Sequence, residues 1–263
     1  MVIPRSNATR DPSVASGGRM GRRGRAILSL TAFLAILASL PAHADVSEKT
    51  KKIGNTTVHY KVVLPQNYDA AKTYPAILGF GGGPQTMNTV DGVIERNFRA
   101  EAEKRGYIVI VPAAPDGKLF FEGGERIFPE FLKQILVDYK IRDNKFHVAG
   151  VSNGGISAFH VASLNPDYFL SITAFPGYLW EDTPAHVQAI SKMCIHMFVG
   201  EVDPMGWQPL MQKQTAAFRA RGMTATYTVE KGQPHRIETL AGPGAARLFD
   251  LFDQAGANHG CGK

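Results

Sequence analysis

Two cysteines in 263 residues are too few for the dense disulfide framework that holds short exported chains together, so stability must come from an apolar core. The longest apolar stretch, Ala26 to Leu40, falls short of the roughly 20 residues that a bilayer-spanning helix needs, and no basic flank follows it to stop translocation. There is no H-E-x-x-H and no cluster of His, Cys or carboxylates at zinc spacing, and Asp116-Gly117 lacks the rest of a calcium loop, so no metal is implied. Neither a Gly-Lys-Ser/Thr phosphate loop nor a G-x-G-x-x-G fingerprint occurs, so no cofactor is implied either. Repeats and low-complexity linkers are also missing, which leaves one domain as the simplest organisation. What is present, 44% hydrophobic against 20% charged residues, is a globular composition that excludes disorder.

The formal charge of +6 is unevenly placed. Arg5, Arg10, Arg19, Arg22, Arg23 and Arg25 stand against one acid, Asp11, in the first 44 residues, so only +1 remains from position 45 onward. The basic start, the apolar stretch and the small-x-small ending Ala42-His43-Ala44 read together as a secretory signal peptide over residues 1–44, cleaved after Ala44. No Leu-x-x-Cys pattern invites a lipid. The expected product is residues 45–263, exported to the periplasm or the medium without a stable membrane anchor. Its near-neutral balance removes the case for a nucleic-acid partner.

After a polar stretch to about Asn55, short apolar runs alternate with amphipathic ones. Strands are expected at 56–64, 74–80, 107–111, 145–151, 170–175, 194–199 and 224–229. Helices are expected at 91–105, 124–139, 154–164, 184–191, 208–221 and 243–254. Nearly all-apolar strands between amphipathic helices indicate an α/β fold, a mostly parallel central sheet covered on both faces. The first of these strands is less uniformly apolar and fits an antiparallel edge.

Gly150-Val151-Ser152-Asn153-Gly154-Gly155 lies between one of these strands and the next helix. Flanking glycines let the backbone turn sharply there and present a serine hydroxyl at the C-terminal edge of the sheet, while the helix start aims N–H groups at the same point. Ser152 is the expected nucleophile. Its base and acid follow in order: Asp203 just past the strand at 194–199, and His235 between the last strand and the last helix. Glu201 is the alternative acid, with holding the loop as its other reading. His147, His160 and His196 fall within strands or helices and read as packing residues. The order Ser, Asp, His is that of an α/β-hydrolase fold. Oxyanion donors are expected from the amide of Asn153 and from Gly81 or Gly82 in Gly79-Phe80-Gly81-Gly82-Gly83-Pro84. Phe80, Trp180 and Trp207 are candidate substrate contacts. Cys194 and Cys261, in an exported chain, are a plausible disulfide.

Together, the elbow, the glycine loop, Asp203 and His235 resemble the secreted bacterial α/β-hydrolase serine esterases, in the group that includes polyhydroxybutyrate depolymerases and feruloyl esterases. The resemblance covers about residues 56 to 255. It implies hydrolysis of small or oligomeric esters (hydroxyalkanoate, feruloyl or short-chain acyl) through an acyl-serine. Phe80 departs from the histidine many such enzymes carry, and no polymer-binding module is evident. A serine peptidase of the prolyl-oligopeptidase type shares the triad order, and a binding protein on a hydrolase scaffold is the non-catalytic alternative.

Overall fold

Among the described residues eight strands form one sheet in the order β1-β2-β4-β3-β5-β6-β7-β8. The computed structural model describes residues 46–261, so the expected signal peptide lies outside the described residues. The strands are β1 (Val46–Ile53), β2 (Thr56–Val63), β3 (Tyr74–Phe80), β4 (Ile108–Pro112), β5 (Ile141–Gly150), β6 (Phe169–Ala174), β7 (Cys194–Gly200) and β8 (Ala225–Glu230). β1, β2 and β4 pair antiparallel, and every pairing from β4 through β3 to β8 is parallel.

Among the described residues seven α-helices cover the two faces: α1 (Met87–Val93), α2 (Arg99–Arg105), α3 (Phe128–Asp138), α4 (Asn153–Leu164), α5 (Pro184–Ala189), α6 (Gln208–Ala220) and α7 (Ala246–Ala257). The period-2 geometry of strands sorts the core into two layers. In β4, Ile108 and Ile110 belong to the same core layer as Phe131 and Leu132 of α3, Phe159 of α4 and Phe218 of α6. Val109 and Val111, on the other face, share the second layer with Val90 of α1, Ala102 of α2 and Phe249 and Phe252 of α7. All residues of β4, β6 and β7 are buried, as parallel strands covered on both sides must be. In α3, Phe128, Phe131, Leu132 and Ile135 make the i, i+3, i+4, i+7 stripe that faces the sheet.

Four expectations change. The polar stretch before Asn55 contains a strand, β1, hidden from hydropathy because it is the true edge: only Val46 and Ile53 pack inward, and Glu48, Lys49 and Thr50 face solvent. A two-residue turn, Gly54-Asn55, pairs it with β2, which is antiparallel as expected but lies inside the sheet. The helix expected at 91–105 starts earlier and is broken by one π-helical turn at Ile94–Phe98 between α1 and α2. A one-residue widening of this kind shifts the apolar face without altering its composition. The last helix runs later than expected, its first residues forming a 3₁₀ turn at Gly242–Ala245.

Cys194, at the start of β7, is disulfide-bonded to Cys261, and the N–H of Cys261 donates to the carbonyl of Lys192 at 3.0 Å. Among the described residues no helix is long and apolar enough to cross a membrane.

Candidate active site

The chain leaves β5 and enters α4 through Ser152, whose φ of 57° and ψ of −122° are strained for a residue with a side chain. The two motif glycines make that turn possible. A Cβ on Gly150 would stand 2.2 Å from the carbonyl oxygen of Gly154, and one on Gly154 would stand 2.3 Å from that of Phe80. Strand, elbow and glycine loop are therefore in backbone contact. The N–H of Ser152 donates to the carbonyl of Pro176 at 2.8 Å, fixing the elbow against the segment after β6.

Asp203 and His235 come to this point from the ends of β7 and β8. His235 Nδ1 lies 2.8 Å from Asp203 Oδ2, and His235 Nε2 lies 2.8 Å from Ser152 Oγ. An ionised carboxylate only accepts, so Nδ1 carries the imidazole proton and Nε2 is left to accept from the serine hydroxyl. The Asp203 side chain is fully buried, and its other oxygen accepts from the N–H of Met205 at 2.8 Å. Glu201 does not compete for the histidine. Its carboxylate accepts from the N–H of Gly232 at 2.8 Å and so holds the loop that carries His235. A Cβ on Gly200 would stand 2.2 Å from the carbonyls of Gln233 and Pro234, so the acid and histidine loops pack backbone to backbone.

The same loop is closed by a clamp that hydropathy and motif spacing leave unseen. Glu230, buried at the end of β8, accepts two hydrogen bonds from the Arg247 guanidinium, at 2.6 and 2.9 Å, and one from the Thr239 hydroxyl at 2.6 Å. These contacts, the Arg247 hydrogen bonds foremost, hold the carboxyl below its ordinary range.

Of the two glycines expected to supply an oxyanion amide, Gly82 is the one against the serine: a Cβ there would stand 3.5 Å from Ser152 Cβ. The bare face of Gly81 instead meets Thr89, at 2.7 Å from its carbonyl oxygen. Two side chains fix this loop. Asn153 Nδ2 donates to the carbonyl of Gly83 at 2.9 Å. Gln85, buried, donates to Ser157 Oγ at 2.8 Å and accepts from the N–H of Phe120 at 3.1 Å. The role of Gln85 was missed, and its position two residues after the glycine run was the signal available.

Phe80 is a correction. The side chain is fully buried, with ring centroids 5.3 Å from Phe120 and 5.6 Å from Phe128, so it anchors the strand and offers no surface to a substrate. Trp207 stands edge-on to His235 at 5.0 Å, and Tyr178 packs on Trp207 at 5.1 Å. Trp180, about half exposed, continues the row between Tyr178 and Phe121. The histidines read as packing residues are buried. His147 meets Ser171 Oγ at 2.8 Å and His196 meets Thr226 Oγ1 at 2.9 Å; burial lowers their pKa to about 3 and about 4, which keeps both neutral. Among the described residues no three His, Cys, Asp or Glu side chains converge to hold a metal ion.

A sequence model of the Esterase family matches residues 51–244, and the chain belongs to that family. It is 31% identical over 128 residues to dipeptidyl-peptidase 5 of Porphyromonas gingivalis, a match covering 44% of this chain and 19% of that one. The chain thus spans only about a fifth of that curated relative. Among solved structures, a ferulic acid esterase from Anaeromyces mucronatus in complex with ferulic acid is similar with a TM-score of 0.63 at 16% identity, over 82% of this chain and 92% of that one. An S-formylglutathione hydrolase from Agrobacterium tumefaciens gives a TM-score of 0.61 at 16% identity, over 81% and 95%. At such identities the likeness is one of fold, and the fold is that of an α/β-hydrolase.

Proposed function

We propose that this member of the Esterase family hydrolyses small or oligomeric carboxylic esters through an acyl-serine intermediate on Ser152. The observation that carries the reading is the unbroken chain Ser152 Oγ, His235 Nε2, His235 Nδ1, Asp203 Oδ2, with both links at 2.8 Å. A serine hydroxyl is a weak nucleophile at neutral pH. His235 Nε2 takes its proton as Oγ attacks the ester carbonyl, and the buried Asp203 carboxylate stabilises the imidazolium that forms and keeps the ring oriented. The amides of Asn153 and Gly82 receive the oxyanion; each such donor contributes about 3 to 4 kcal/mol in the transition state. His235 then passes its proton to the departing alcohol, and water repeats the sequence in reverse to free Ser152.

The row of rings from Trp207 outward supports an aromatic acyl group, such as a feruloyl, among the accepted esters, as does the likeness to ferulic acid esterases. The similarity to a dipeptidyl-peptidase supports a second reading, cleavage of peptide bonds by the same triad. A binding role on a hydrolase scaffold is disfavoured by a complete and connected triad.

Turnover of 4-nitrophenyl acetate and butyrate, methyl ferulate, hydroxyalkanoate oligomers and aminoacyl anilides by the mature protein and by Ser152→Ala tests this. Ester cleavage by the wild type and its loss in the variant are expected. Full turnover by Ser152→Ala refutes the mechanism, and dominant anilide cleavage replaces the esterase with the peptidase.

A further inference from the structure

Beside the serine lies a cavity of about 260 Å³ that shares only its Gly82 wall with the hydrolytic machinery. That volume leaves room for one arm of a substrate. Its position follows from its walls: Val151 precedes Ser152, Arg236 follows His235, and Gly82 lies against the serine. The floor is apolar, made by Val93, Val151, Phe175 and Ile237. Arg96 and Arg236 stand among its lining residues.

Arg96 sits on the π-helical turn between α1 and α2, a kind of turn that concentrates at functional sites. The turn also directs the neighbouring Asn97 inward, where its Nδ2 donates to the carbonyl of Leu240 at 2.8 Å. This contact ties the turn to the segment that follows His235.

The charges around the cavity do not cancel. Arg96 and Arg236 approach the same carboxylate oxygen, Glu238 Oε1, at 3.2 and 3.4 Å. Among the described residues it is the only acidic partner either arginine has, and no acidic side chain lines the cavity. One carboxylate between two guanidiniums leaves a positive charge over. Arg236 is largely exposed, but Arg96 is only 25% exposed, so the Arg96 guanidinium is partly desolvated and gains more from an anion than a free surface arginine would. A neutral alkyl arm would cover the floor and leave the guanidiniums unmatched.

We propose that this cavity binds an arm of the ester that is apolar along its length and ends in a carboxylate. The assignment rests on the esterase reading and names its substrate class: half-esters of short dicarboxylic acids, or esters of short hydroxy acids, according to which side of the scissile bond the arm lies on.

Paired substrates read this directly. 4-Nitrophenyl hydrogen adipate against 4-nitrophenyl hexanoate places the carboxylate on the acyl side. 4-Acetoxybutyrate against 4-acetoxybutyramide places it on the alcohol side. In one of the two pairs the anionic ester is expected to have a kcat/KM about tenfold or more above its neutral partner, carried in KM and reduced by salt. Arg96→Gln combined with Arg236→Gln brings that ratio to about one, whereas Lys192→Gln, in a separate polar cavity near the disulfide, leaves it unchanged and controls for overall charge. No preference in either pair, or a preference that survives the double substitution, overturns the proposal. So does an equal slowing of both partners at constant ratio, the signature of arginines that only order the His235 loop. If no ester is cleaved at all, including 4-nitrophenyl acetate, the esterase reading itself fails. The cavity is then judged by calorimetric titration of adipate into Ser152→Ala: binding abolished by the two arginine substitutions supports the carboxylate site, and absence of binding overturns it.

Discussion

Arg247→Met removes the guanidinium from a buried carboxylate at the base of the histidine loop. Glu230 ends β8, Thr239 lies in the turn after His235 and Arg247 in the first turn of α7, so their hydrogen bonds close residues 231 to 238 into a ring with His235 inside. Hydrogen bonds to a charged group contribute about 1.5 to 3 kcal/mol each, and stripping one partner from a buried pair also strands the other charge. The Glu230 side chain is 8% exposed but that of Arg247 is 45% exposed, so water already meets part of the guanidinium's needs. A loss of about 2 to 3 kcal/mol at pH 7 is expected.

The pH dependence has a definite sign. Arg247 holds the Glu230 carboxyl below its ordinary value of 4.5, so the stabilisation is complete above that value and is lost as pH falls through the lower value of the folded state. The stability gap between wild type and Arg247→Met should therefore be constant from pH 7 to 5 and close below about 4.5. Urea titrations followed by tryptophan fluorescence measure the gap, and turnover of 4-nitrophenyl acetate should fall in the same variant as the histidine loop loosens. A gap at pH 7 under about 0.5 kcal/mol, the range of an ordinary surface substitution, or one that persists undiminished at pH 3, refutes the reasoning.

Two further outcomes are expected. Asp203→Asn should lower kcat by about 10³ to 10⁴ with little change in the urea midpoint, because an amide cannot enforce the imidazole tautomer; a loss of less than tenfold in steady-state kinetics would mean that another group, Glu201 first, orients His235. Replacing Cys194 and Cys261 with serine opens a cross-link over 67 residues, which on the chain-entropy model costs about 4 kcal/mol. Thermal unfolding with and without reductant checks this, and an unchanged midpoint contradicts it.

Much of the central sheet was legible in the sequence because parallel strands are buried on both faces and their apolar runs announce them, as in Ile108-Val109-Ile110-Val111. The convergence of Ser152, Asp203 and His235 was legible because an α/β-hydrolase fold brings three strand ends in that chain order to one edge. β1 was not: an edge strand satisfies half its backbone with solvent, and its Lys-rich sequence reads as a tail. The π-turn escaped because widening a helix by one residue leaves both composition and rough period intact. Phe80 was misassigned since chain position gave its neighbours but not its direction. Odd-numbered and even-numbered residues of a strand end on opposite faces, and this one points into the core beside Phe128. The pairing of Arg96 with Arg236 across Glu238 joins residues far apart in the chain and carries no local pattern.

The disulfide fixes more than stability. In parallel strands Ser152, Asp203 and His235 all sit at one edge of the sheet, while Cys194 opens β7 at the opposite edge. A seven-residue strand advances about 3.3 Å per residue, so about 20 Å separates the two edges. Cys261 keeps the end of the described chain on that far side. A tether attached there would hold the protein with its cleft turned outward, so that immobilising the enzyme or fusing a second module by its C-terminal residues leaves the approach to Ser152 open.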